Sequence, residues 1–441
     1  MSSIIDNNLE IINNIREIYA NASPDKLREL IAHHFVPSIE ERRTRAEVST
    51  PVVLVDDMLA QTPLNYFETP RFVLEPCCGK GNFALGIFEK MYDGLENSGL
   101  SEIERCKLVM DHLYYSDLTA MNVFITTELL KCHIQAHCGV DAEYFAELGI
   151  TFHSSVGNSL TMTEWNGFFD MVIANPPYND DSGNKGKGHN IWVNFIETAL
   201  DKWLKPEGYM LFVNPSVWRQ LDHPLLKKMM ANQLVYLEIH NVDDGMKTFK
   251  CATRYDWYLL QKTPPHGQTV IKDEDGVFQI IDLREWSFIP NMKFDEIKAL
   301  CCGSSTRSAV EIIHSESDYE VRRKWMSHDK TDEHVHPVIY SINKDNVGSF
   351  KWSNTKNKGH YGVAKFIFTN GAGFLCDANG EYAISQWGSG IVDSVENLQL
   401  IERAFRNPRF QDIKRAIQLD SSNYNIKVMR LFRADFWRAF V

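Results

Sequence analysis

The chain has 441 residues, of which 44% are hydrophobic and 24% charged, and its formal net charge is −12. This length predicts two to three domains, and the composition is that of a globular protein with ample material for a core. The sequence contains neither a long uninterrupted apolar segment nor the pattern of a signal peptide, so we expect an intracellular, cytoplasmic protein without membrane association. Nine cysteines, an odd number, predict free thiols rather than a disulfide framework.

The negative charge is unevenly distributed along the chain. Residues 266–441 carry 23 basic and 23 acidic side chains, so the excess of acid lies entirely before residue 266. The last 41 residues carry nine basic and four acidic side chains, interleaved with aromatic rings. Such a local basic face permits contacts with phosphate groups. A solvated pair of basic helices explains the same pattern equally well.

The N-terminal part of the chain has the pattern of helices. Apolar residues recur with helical spacing in residues 1–45, which predicts a helical N-terminal region. Ser49 or Thr50 is then predicted to cap a further helix, with Pro51 in its first turn. The free amide groups at such a helix start can also line a ligand site, although capping is the commoner use of these residues.

A short apolar strand ending at Glu75 is followed by a glycine turn and an amphipathic helix. This pattern predicts the opening βα unit of a doubly wound sheet. Gly79 and Gly81 allow the backbone to approach a ligand closely. The turn is neither a phosphate-binding P-loop nor a complete dinucleotide fingerprint, so it does not identify the ligand by itself.

Two further strands end in polar residues that suit a nucleoside. Asp117 follows the second predicted strand, where a carboxylate can accept hydrogen bonds from both ribose hydroxyls. Asn158 follows the third and can bond an adenine edge. The alternative for both residues is a structural role as helix caps, which their residue types also favour.

The fourth strand, Phe169–Ala174, stops at Asn175-Pro176-Pro177-Tyr178. Two prolines in succession cannot continue a ladder of hydrogen bonds or begin a helix, so their carbonyl groups stay available. The side-chain oxygen of Asn175 and the carbonyl of Pro176 can accept hydrogen bonds from one amino group while Tyr178 stacks on the ring that bears it. This stretch therefore predicts a site for a planar aromatic amine, such as a nucleobase.

A polar, glycine-rich stretch with Lys185 and Lys187 follows, and we expect it to form a loop that closes over a nucleic acid strand. More strands follow, and Thr263–Gly267 is predicted to be the linker that ends the domain. Beyond it the pattern predicts antiparallel strands, and helices from about Val395. Six basic residues in this region are expected to contact DNA, although each can also be ordinary solvated surface. They are Arg322, Arg323, Lys324, Lys356, Lys358 and Lys365.

Four potential metal ligands occur between Cys132 and Cys138. They lie in a predicted helix, on which four side chains at this spacing cannot all face one ion. The sequence therefore predicts no metal site.

The order of the motifs in this chain resembles that of the gamma group of S-adenosylmethionine-dependent DNA adenine-N6 methyltransferases, from restriction–modification systems and their phage or viral relatives. The motifs are, in chain order, the Ser-Thr-Pro segment, the Glu-Pro-Cys-Cys-Gly-x-Gly loop, the acid-ended strand, Gly-Asn-Ser-Leu and Asn-Pro-Pro-Tyr. The resemblance covers roughly residues 40–260. It implies an α/β fold in which a class I methyltransferase domain, residues 46–262, follows the N-terminal helical region 1–45. That domain is a doubly wound, mostly parallel, seven-stranded sheet, and residues 268–441 form an α+β target-recognition domain.

The resemblance also implies roles for individual residues. Asn175, Pro176, Pro177 and Tyr178 would be catalytic, and Tyr178, Phe249, Lys185 and Lys187 would bind the substrate. The family often has aspartate at the positions of Glu75 and Asn158, so some contacts to the methyl donor are expected to differ. The residues that would line the cofactor pocket are Thr50, Pro51, Glu75, Cys77, Gly79, Asp117, Asn158 and Leu160.

The expected activity is therefore site-specific transfer of a methyl group from S-adenosylmethionine to the N6 amine of an adenine flipped out of double-stranded DNA. We expect a monomer that uses no metal and does not cleave DNA. An RNA adenine-N6 methyltransferase is the nearest alternative. A protein glutamine-N5 methyltransferase is less well supported because that class lacks the Ser-Thr-Pro segment and the long C-terminal domain. Transfer to cytosine N4 usually accompanies Ser-Pro-Pro-Tyr, so Asn175 favours adenine.

Overall fold

The fold is that of a computed structural model. It forms two compact units: the first comprises the chain up to Trp218 with residues 223–286, and the second comprises Arg219–Asp222 and Ser287–Val441. Most of the predicted helical region 1–45 lies outside the described residues, although residues 13–15 and 28–30 are helical. The structure describes residues 48–178, 190–302, 308–315, 317–358, 360–370, 373–419 and 424–441, with a few between 13 and 30.

One sheet of nine strands runs through the first unit. Its strands are β1 (Val73–Glu75), β2 (Leu113–Asp117), β3 (His153–Val156), β4 (Phe169–Ala174), β5 (Leu204–Pro215), β6 (Gln233–His240), β7 (Tyr255–Gln261), β8 (Thr269–Lys272) and β9 (Phe278–Ile281). The helices of this unit are α1 (Val52–Ala60), α2 (Asn82–Gly94), α3 (Glu102–Met110), α4 (Ala120–Cys138), α5 (Ile191–Thr198), α6 (Pro224–Met230) and α7 (Val242–Phe249).

The strand order β3-β2-β1-β4-β5-β7-β6-β8-β9 confirms the predicted doubly wound, mainly parallel sheet. The five strands β3, β2, β1, β4 and β5 are parallel to one another, and β7 is antiparallel to both β5 and β6. The chain builds outward from β1 to one side and then returns to add β4 on the other side. In open sheets of this kind, ligands bind at such a switch point, outside the carboxyl ends of the strands.

The sheet is longer than predicted, because β8 pairs with β6 and β9 with β8. The expected linker Thr263–Gly267 thus lies between two strands of one sheet, and the first unit ends at Trp286 rather than at residue 262. Gln233 explains the difference: its Oε1 accepts hydrogen bonds of 2.8 Å from the backbone amides of both His266 and Gly267. These bonds hold a segment of loop composition against β6. The strand β8, which follows that segment, can therefore pair with β6.

The core of the first unit lies on both faces of the central strands. In β4, Phe169, Met171, Val172, Ile173 and Ala174 are all fully buried. Parallel strands covered on both faces have such continuous apolar runs instead of alternating ones. This burial stabilises the strand on which the Asn-Pro-Pro-Tyr segment is held.

The second unit contains two four-stranded sheets, ordered β10-β17-β14-β15 and β11-β13-β12-β16. The predicted change from strands to helices near Val395 is confirmed, since α9 begins at that residue. Its strands are β10 (Ile312–His314), β11 (Met326–Ser327), β12 (His336–Ile342), β13 (Gly348–Ser353), β14 (Lys365–Thr369), β15 (Phe374–Asp377), β16 (Ala383–Ile384) and β17 (Gly388–Val392). Its helices are α8 (Phe294–Leu300), α9 (Val395–Arg406), α10 (Pro408–Ala416) and α11 (Ile426–Met429).

Lys365 is buried within the second unit, so its predicted role as a DNA contact is wrong. Its Nζ donates hydrogen bonds to Asp377 Oδ2 at 2.6 Å, His360 O at 2.8 Å and Val363 O at 3.0 Å. All three donors of the ammonium group are thus used inside the protein. The pairing offsets the cost of burying the charge and ties β14 to β15.

Among the described residues, no helix combines the length and the apolar character needed to cross a membrane.

Candidate active site

The carboxyl ends of four neighbouring strands meet at one edge of the large sheet. β1 ends at Glu75, β2 at Asp117, β3 at Val156 and β4 at Ala174. These strands are adjacent and parallel, in the order β3-β2-β1-β4. The predicted site residues that follow them are therefore brought to the same edge, which is where a doubly wound sheet binds ligands.

The loop between β1 and α2 is shaped by its glycines and by backbone hydrogen bonds. Gly79 and Gly81 have φ angles of +50° and +88°, a region that side chains rarely adopt. A Cβ atom on Gly81 would also lie 3.1 Å from Thr126 Oγ1. The Cys78 amide donates to Ser116 O at 2.8 Å, which attaches the loop to β2. The helix α2 then begins at Asn82.

A cleft of about 340 Å³ of empty space, part of it open to solvent, lies over this loop. It brings together four predicted site residues, Thr50, Glu75, Cys77 and Gly79, with the catalytic candidate Asn175. The other residues that line it were not among the predicted cofactor-binding residues, and they are Val48, Ser49, Cys78, Lys80, Asn82 and Phe83.

Asn82 connects the glycine loop with the segment before α1. Its Nδ2 donates to Ser49 Oγ at 2.8 Å and to Thr50 O at 2.7 Å. Its Oδ1 is buried and has no partner among the described residues. Asn82 could have been identified from the sequence, because it directly follows Gly81 and is the first residue of a helix.

Glu75 is 1% exposed, and its Oε2 has no hydrogen-bond partner within the described ranges. Burial raises the pKa of this carboxyl group well above its usual range, and the nearby Asp117 raises the pKa further. A buried acceptor without a partner is costly. In this cleft it is a ready partner for a ligand that carries an amino or hydroxyl group.

The amide of Asn175 is held by the segment before α1. Its Nδ2 donates to Thr50 Oγ1 at 3.1 Å and to Val48 O at 3.4 Å. A backbone carbonyl only accepts hydrogen bonds, so the nitrogen of this amide must be the atom that faces Val48. Asn175 Oδ1, in turn, accepts no hydrogen bond from the residues that the structure describes.

Thr50 does not cap α1 as predicted. Pro51 occupies the N-cap position without any side-chain hydrogen bond, and the Thr50 hydroxyl instead accepts from Asn175. The segment thus positions the Asn175 side chain.

Tyr178 is partly buried near Tyr255, the first residue of β7. Its hydroxyl group is buried and has no hydrogen-bond partner in the described part of the chain. Burial raises the pKa of the phenol, and Tyr255, Cys251 and Asp256, which lie near it, raise it further. The hydroxyl therefore stays protonated at all ordinary pH values, and the aromatic ring is the part of this side chain suited to contact a ligand.

Asn158 caps a helical turn, as in the structural alternative, whereas the N-cap of α4 is Thr119 and not Asp117. Asp117 Oδ1 accepts from Thr119 N at 2.8 Å, at the start of α4, and its Oδ2 accepts from Gly79 N at 3.0 Å. Asn158 Oδ1 accepts from Leu160 N at 3.1 Å. Neither side chain lines the cleft, although a carboxylate has lone pairs beyond those that Asp117 uses here.

The remaining predicted residues lie away from the cleft or outside the described ranges. Pro51 and Leu160 do not line it. Phe249 is 6% exposed and packs in the core, edge-on against Tyr255 at 4.8 Å between ring centroids. Lys185 and Lys187 lie outside the described residues.

In the second unit, basic side chains surround two aromatic rings. Lys358 lies over the Trp325 ring at 4.7 Å from its centroid and Arg323 at 5.9 Å, and Lys356 lies over Tyr361 at 5.8 Å. We call these five residues the Trp325 surface. The predicted DNA contacts that are exposed are Arg322, Arg323, Lys324 and Lys356.

Comparison with known proteins finds similar sequences and a similar fold among restriction–modification enzymes. Residues 99–249 match the model of the Eco57I restriction-modification methylase family. Over 117 residues, 24% of the chain, the sequence is 26% identical to the modification methylase CviBIII of Paramecium bursaria Chlorella virus NC1A. The match spans 30% of that relative's length.

Two solved restriction–modification enzymes resemble the chain in structure. The Type ISP enzyme LlaGI, solved with a DNA substrate mimic, aligns with a TM-score of 0.53 and 10% identity. That alignment covers 89% of this chain and 46% of LlaGI. The Type IIL enzyme MmeI, solved in complex with DNA, aligns with a TM-score of 0.49 and 11% identity over 88% of this chain and 67% of MmeI. At such identities the first likeness shows a shared fold.

The family match includes Asp117, Asn158, the Asn-Pro-Pro-Tyr segment and Phe249. The strand order joins Glu75 and the glycine loop, which precede the matched residues, to the same sheet. Residues 99–249 are therefore similar to the Eco57I restriction-modification methylase family, and the chain shares its fold with LlaGI.

Proposed function

We propose that this chain is a DNA methyltransferase that transfers a methyl group from S-adenosylmethionine to the N6 amine of an adenine flipped out of duplex DNA. The orientation of the Asn175 amide carries this proposal. Its nitrogen is bound by Thr50 Oγ1 and Val48 O, so its Oδ1 is left as an acceptor at the end of β4. The Pro176 carbonyl belongs to the next residue of the chain and is the second acceptor that we propose. Two acceptors at one strand end suit a single amino group with two N–H donors.

These acceptors address the weak nucleophilicity of an adenine amine, whose lone pair is delocalised into the ring. Hydrogen bonds to Asn175 Oδ1 and Pro176 O draw the N–H groups out of the ring plane and favour a pyramidal nitrogen. When bound, S-adenosylmethionine would supply an electrophilic methyl carbon. The N6 nitrogen would bond to it as the C–S bond breaks, S-adenosylhomocysteine would leave, and the N–H proton would pass to solvent. The protein contributes through positioning and electrostatics.

The cleft has the chemistry to hold this methyl donor. Glu75 Oε2 and Asn82 Oδ1 are buried acceptors without partners among the described residues. The ammonium group, ribose hydroxyls and adenine amine of S-adenosylmethionine are donors that match them. The positive φ angle of Gly79 lets the backbone approach a ligand closely.

We infer DNA as the substrate from two supporting features. The family model and the curated relative are by name a restriction-modification methylase and a modification methylase. The Trp325 surface of the second unit combines three cations with two partly buried rings, and cations of this kind suit contacts with phosphate groups. Because a paired adenine is not accessible to a reagent, the base must leave the stack, at a cost of about a few kcal/mol.

The proposal is tested by offering the purified chain a methyl-labelled donor with duplex DNA, RNA or protein as acceptor. Digestion and mass spectrometry then identify the modified group. We expect N6-methyladenine in DNA, and label reduced by at least about 100-fold in initial rate with the Asn175→Ala chain. Label found only in RNA, in a protein glutamine or at cytosine N4 would overturn the proposal.

Glu75→Gln is expected to stabilise the ligand-free protein and weaken its binding of the methyl donor. The folded state raises the pKa of Glu75, so the native protein binds more protons there than the unfolded chain, and stability falls as pH rises above the unfolded value of about 4.3. The glutamine side chain of the variant does not titrate, so the variant does not lose stability in this way as the pH rises. Denaturant unfolding at neutral pH should give a gain of about 1 kcal/mol, and calorimetry should show donor affinity reduced by about tenfold.

A pH series distinguishes this effect from a general gain in stability. The difference between variant and wild type should vanish below the unfolded pKa and grow as pH rises. A gain that is equal at all pH values would show that the Glu75 charge is not its cause. Unchanged affinity for S-adenosylmethionine would remove Glu75 from the proposed site.

A further inference from the structure

We propose that α2 and α4 together hold a divalent transition-metal ion, with Zn²⁺ as the best match, through Glu89, His133 and His137. This site is separate from the proposed methyl transfer and has a structural role. The sequence predicted no metal, because four ligands between Cys132 and Cys138 cannot converge on one helix. Only two of those residues take part, and the third ligand comes from another helix.

The geometry brings three ligand atoms together. His133 and His137 are four residues apart on α4, so both rings lie on one face of the helix. His137 Nε2 is 2.8 Å from Glu89 Oε1, and His133 Nε2 contacts the same oxygen. All three ligand atoms lie within 4.8 Å of one another. Ligands of a tetrahedral ion with bonds of about 2.0–2.2 Å are roughly 3.3–3.5 Å apart, so small side-chain movements suffice to bind one.

Hydrogen bonding alone does not account for this cluster. His133 is 0% exposed, its Nδ1 has no hydrogen-bond partner among the described residues, and its Nε2 must share the single oxygen Glu89 Oε1 with His137 Nε2. Leaving a buried polar group unsatisfied is costly, and a bound ion is one recognised explanation for such a group. An ion between the three side chains would take the lone pair of His133 Nε2.

The donor set indicates which ion fits. Two imidazoles and one carboxylate are a known ligand set for Zn²⁺, with a fourth position left for water. Other first-row metals that accept imidazole can compete for it. Ca²⁺ and Mg²⁺ are disfavoured because they prefer oxygen ligands throughout.

The position of the cluster indicates what the ion would do. α2 begins at Asn82, which lines the cleft, and α4 follows Asp117, whose carboxylate accepts from the Gly79 amide. A metal bond between the two helices would therefore brace both elements that start at the cleft. Because an ion bound to the folded state alone adds to stability, the site should raise the melting temperature of the protein.

The test uses the full chain, stripped of metal with EDTA and titrated with Zn²⁺. We expect binding of about one equivalent by elemental analysis and a rise in Tm. Co²⁺ in place of Zn²⁺ should give the visible absorption of a four-coordinate ion with nitrogen and oxygen ligands. Glu89→Gln and His137→Gln should each weaken binding by at least about 100-fold, because changes beyond the ligands already cost 10–100-fold.

His153→Gln is the matched control, since His153 is a partly buried histidine of the same unit outside the cluster. It should bind Zn²⁺ as the wild type does. Titration and the Co²⁺ spectrum of wild-type protein test the site even when a variant folds poorly. If the metal-stripped wild type failed to bind about one equivalent of Zn²⁺ on titration, the proposal would be overturned. Zn²⁺ binding that survives both Glu89→Gln and His137→Gln would overturn it as well.

Discussion

Replacing Asn175 by alanine is expected to slow methyl transfer at saturating substrates by at least about 100-fold, the usual cost of losing one preorganised polar group at a reacting centre. The variant loses the Oδ1 acceptor that we propose binds the adenine amine. It also loses the Nδ2 bonds to Thr50 Oγ1 and Val48 O. Single-turnover rates with labelled donor and duplex DNA measure the effect.

Thr50→Val separates these two contributions. Valine has nearly the shape of threonine but cannot accept the bond from Asn175 Nδ2, whereas Asn175 Oδ1 remains present. The loss of one such hydrogen bond predicts a rate reduced by about tenfold or less. If Asn175→Ala turned over at the wild-type rate, the proposed mechanism would be wrong. If Asn175→Ala lost only affinity for S-adenosylmethionine, Asn175 would act solely through the segment before α1.

Tyr178→Ala is expected to lower kcat/KM for duplex DNA by about 10–100-fold, whereas Tyr178→Phe should stay close to wild type. Stacking of a base on an aromatic ring contributes about 1–3 kcal/mol. The Tyr178 hydroxyl is buried without a partner among the described residues, so its removal forfeits no hydrogen bond. Steady-state kinetics on one DNA substrate compare the two variants directly.

A mismatched target base provides an independent check on Tyr178. A mismatch lowers the cost of moving the adenine out of the stack, so it should restore part of the activity of Tyr178→Ala. If Tyr178→Phe were as impaired as Tyr178→Ala, the hydroxyl rather than the ring would be the functional group. In that case stacking on Tyr178 would not explain its role.

The local elements around the site were predictable from sequence because short-range patterns specify them. The strand ending at Glu75, the glycine turn and the apolar run before Asn175 all appear where the sequence placed them. Burial on both faces makes such strands continuously apolar, and positive φ angles at Gly79 and Gly81 require residues without a Cβ. These features depend on neighbours in the chain.

Pairings between distant residues were not predictable in the same way. Thr50 has the residue type of a helix cap, but its hydroxyl binds Asn175, 125 residues away. Lys365 has the residue type of a surface cation, but Asp377 and two backbone carbonyls enclose it. The extension of the sheet by β8 and β9 depends on Gln233, whose side chain binds a segment with the composition of a linker.

By itself, the sequence determined the doubly wound sheet, the order of its motifs and the Asn-Pro-Pro-Tyr segment at the end of a buried strand, because periodicity, glycine and proline act locally. The tertiary structure alone decided which way the Asn175 amide faces and that Glu75 and Asn82 have buried acceptors without partners in the described part of the chain. It alone placed Glu89 beside two histidines of another helix. Each of these depends on atoms far apart in the chain, whose approach is set by how strands and helices pack.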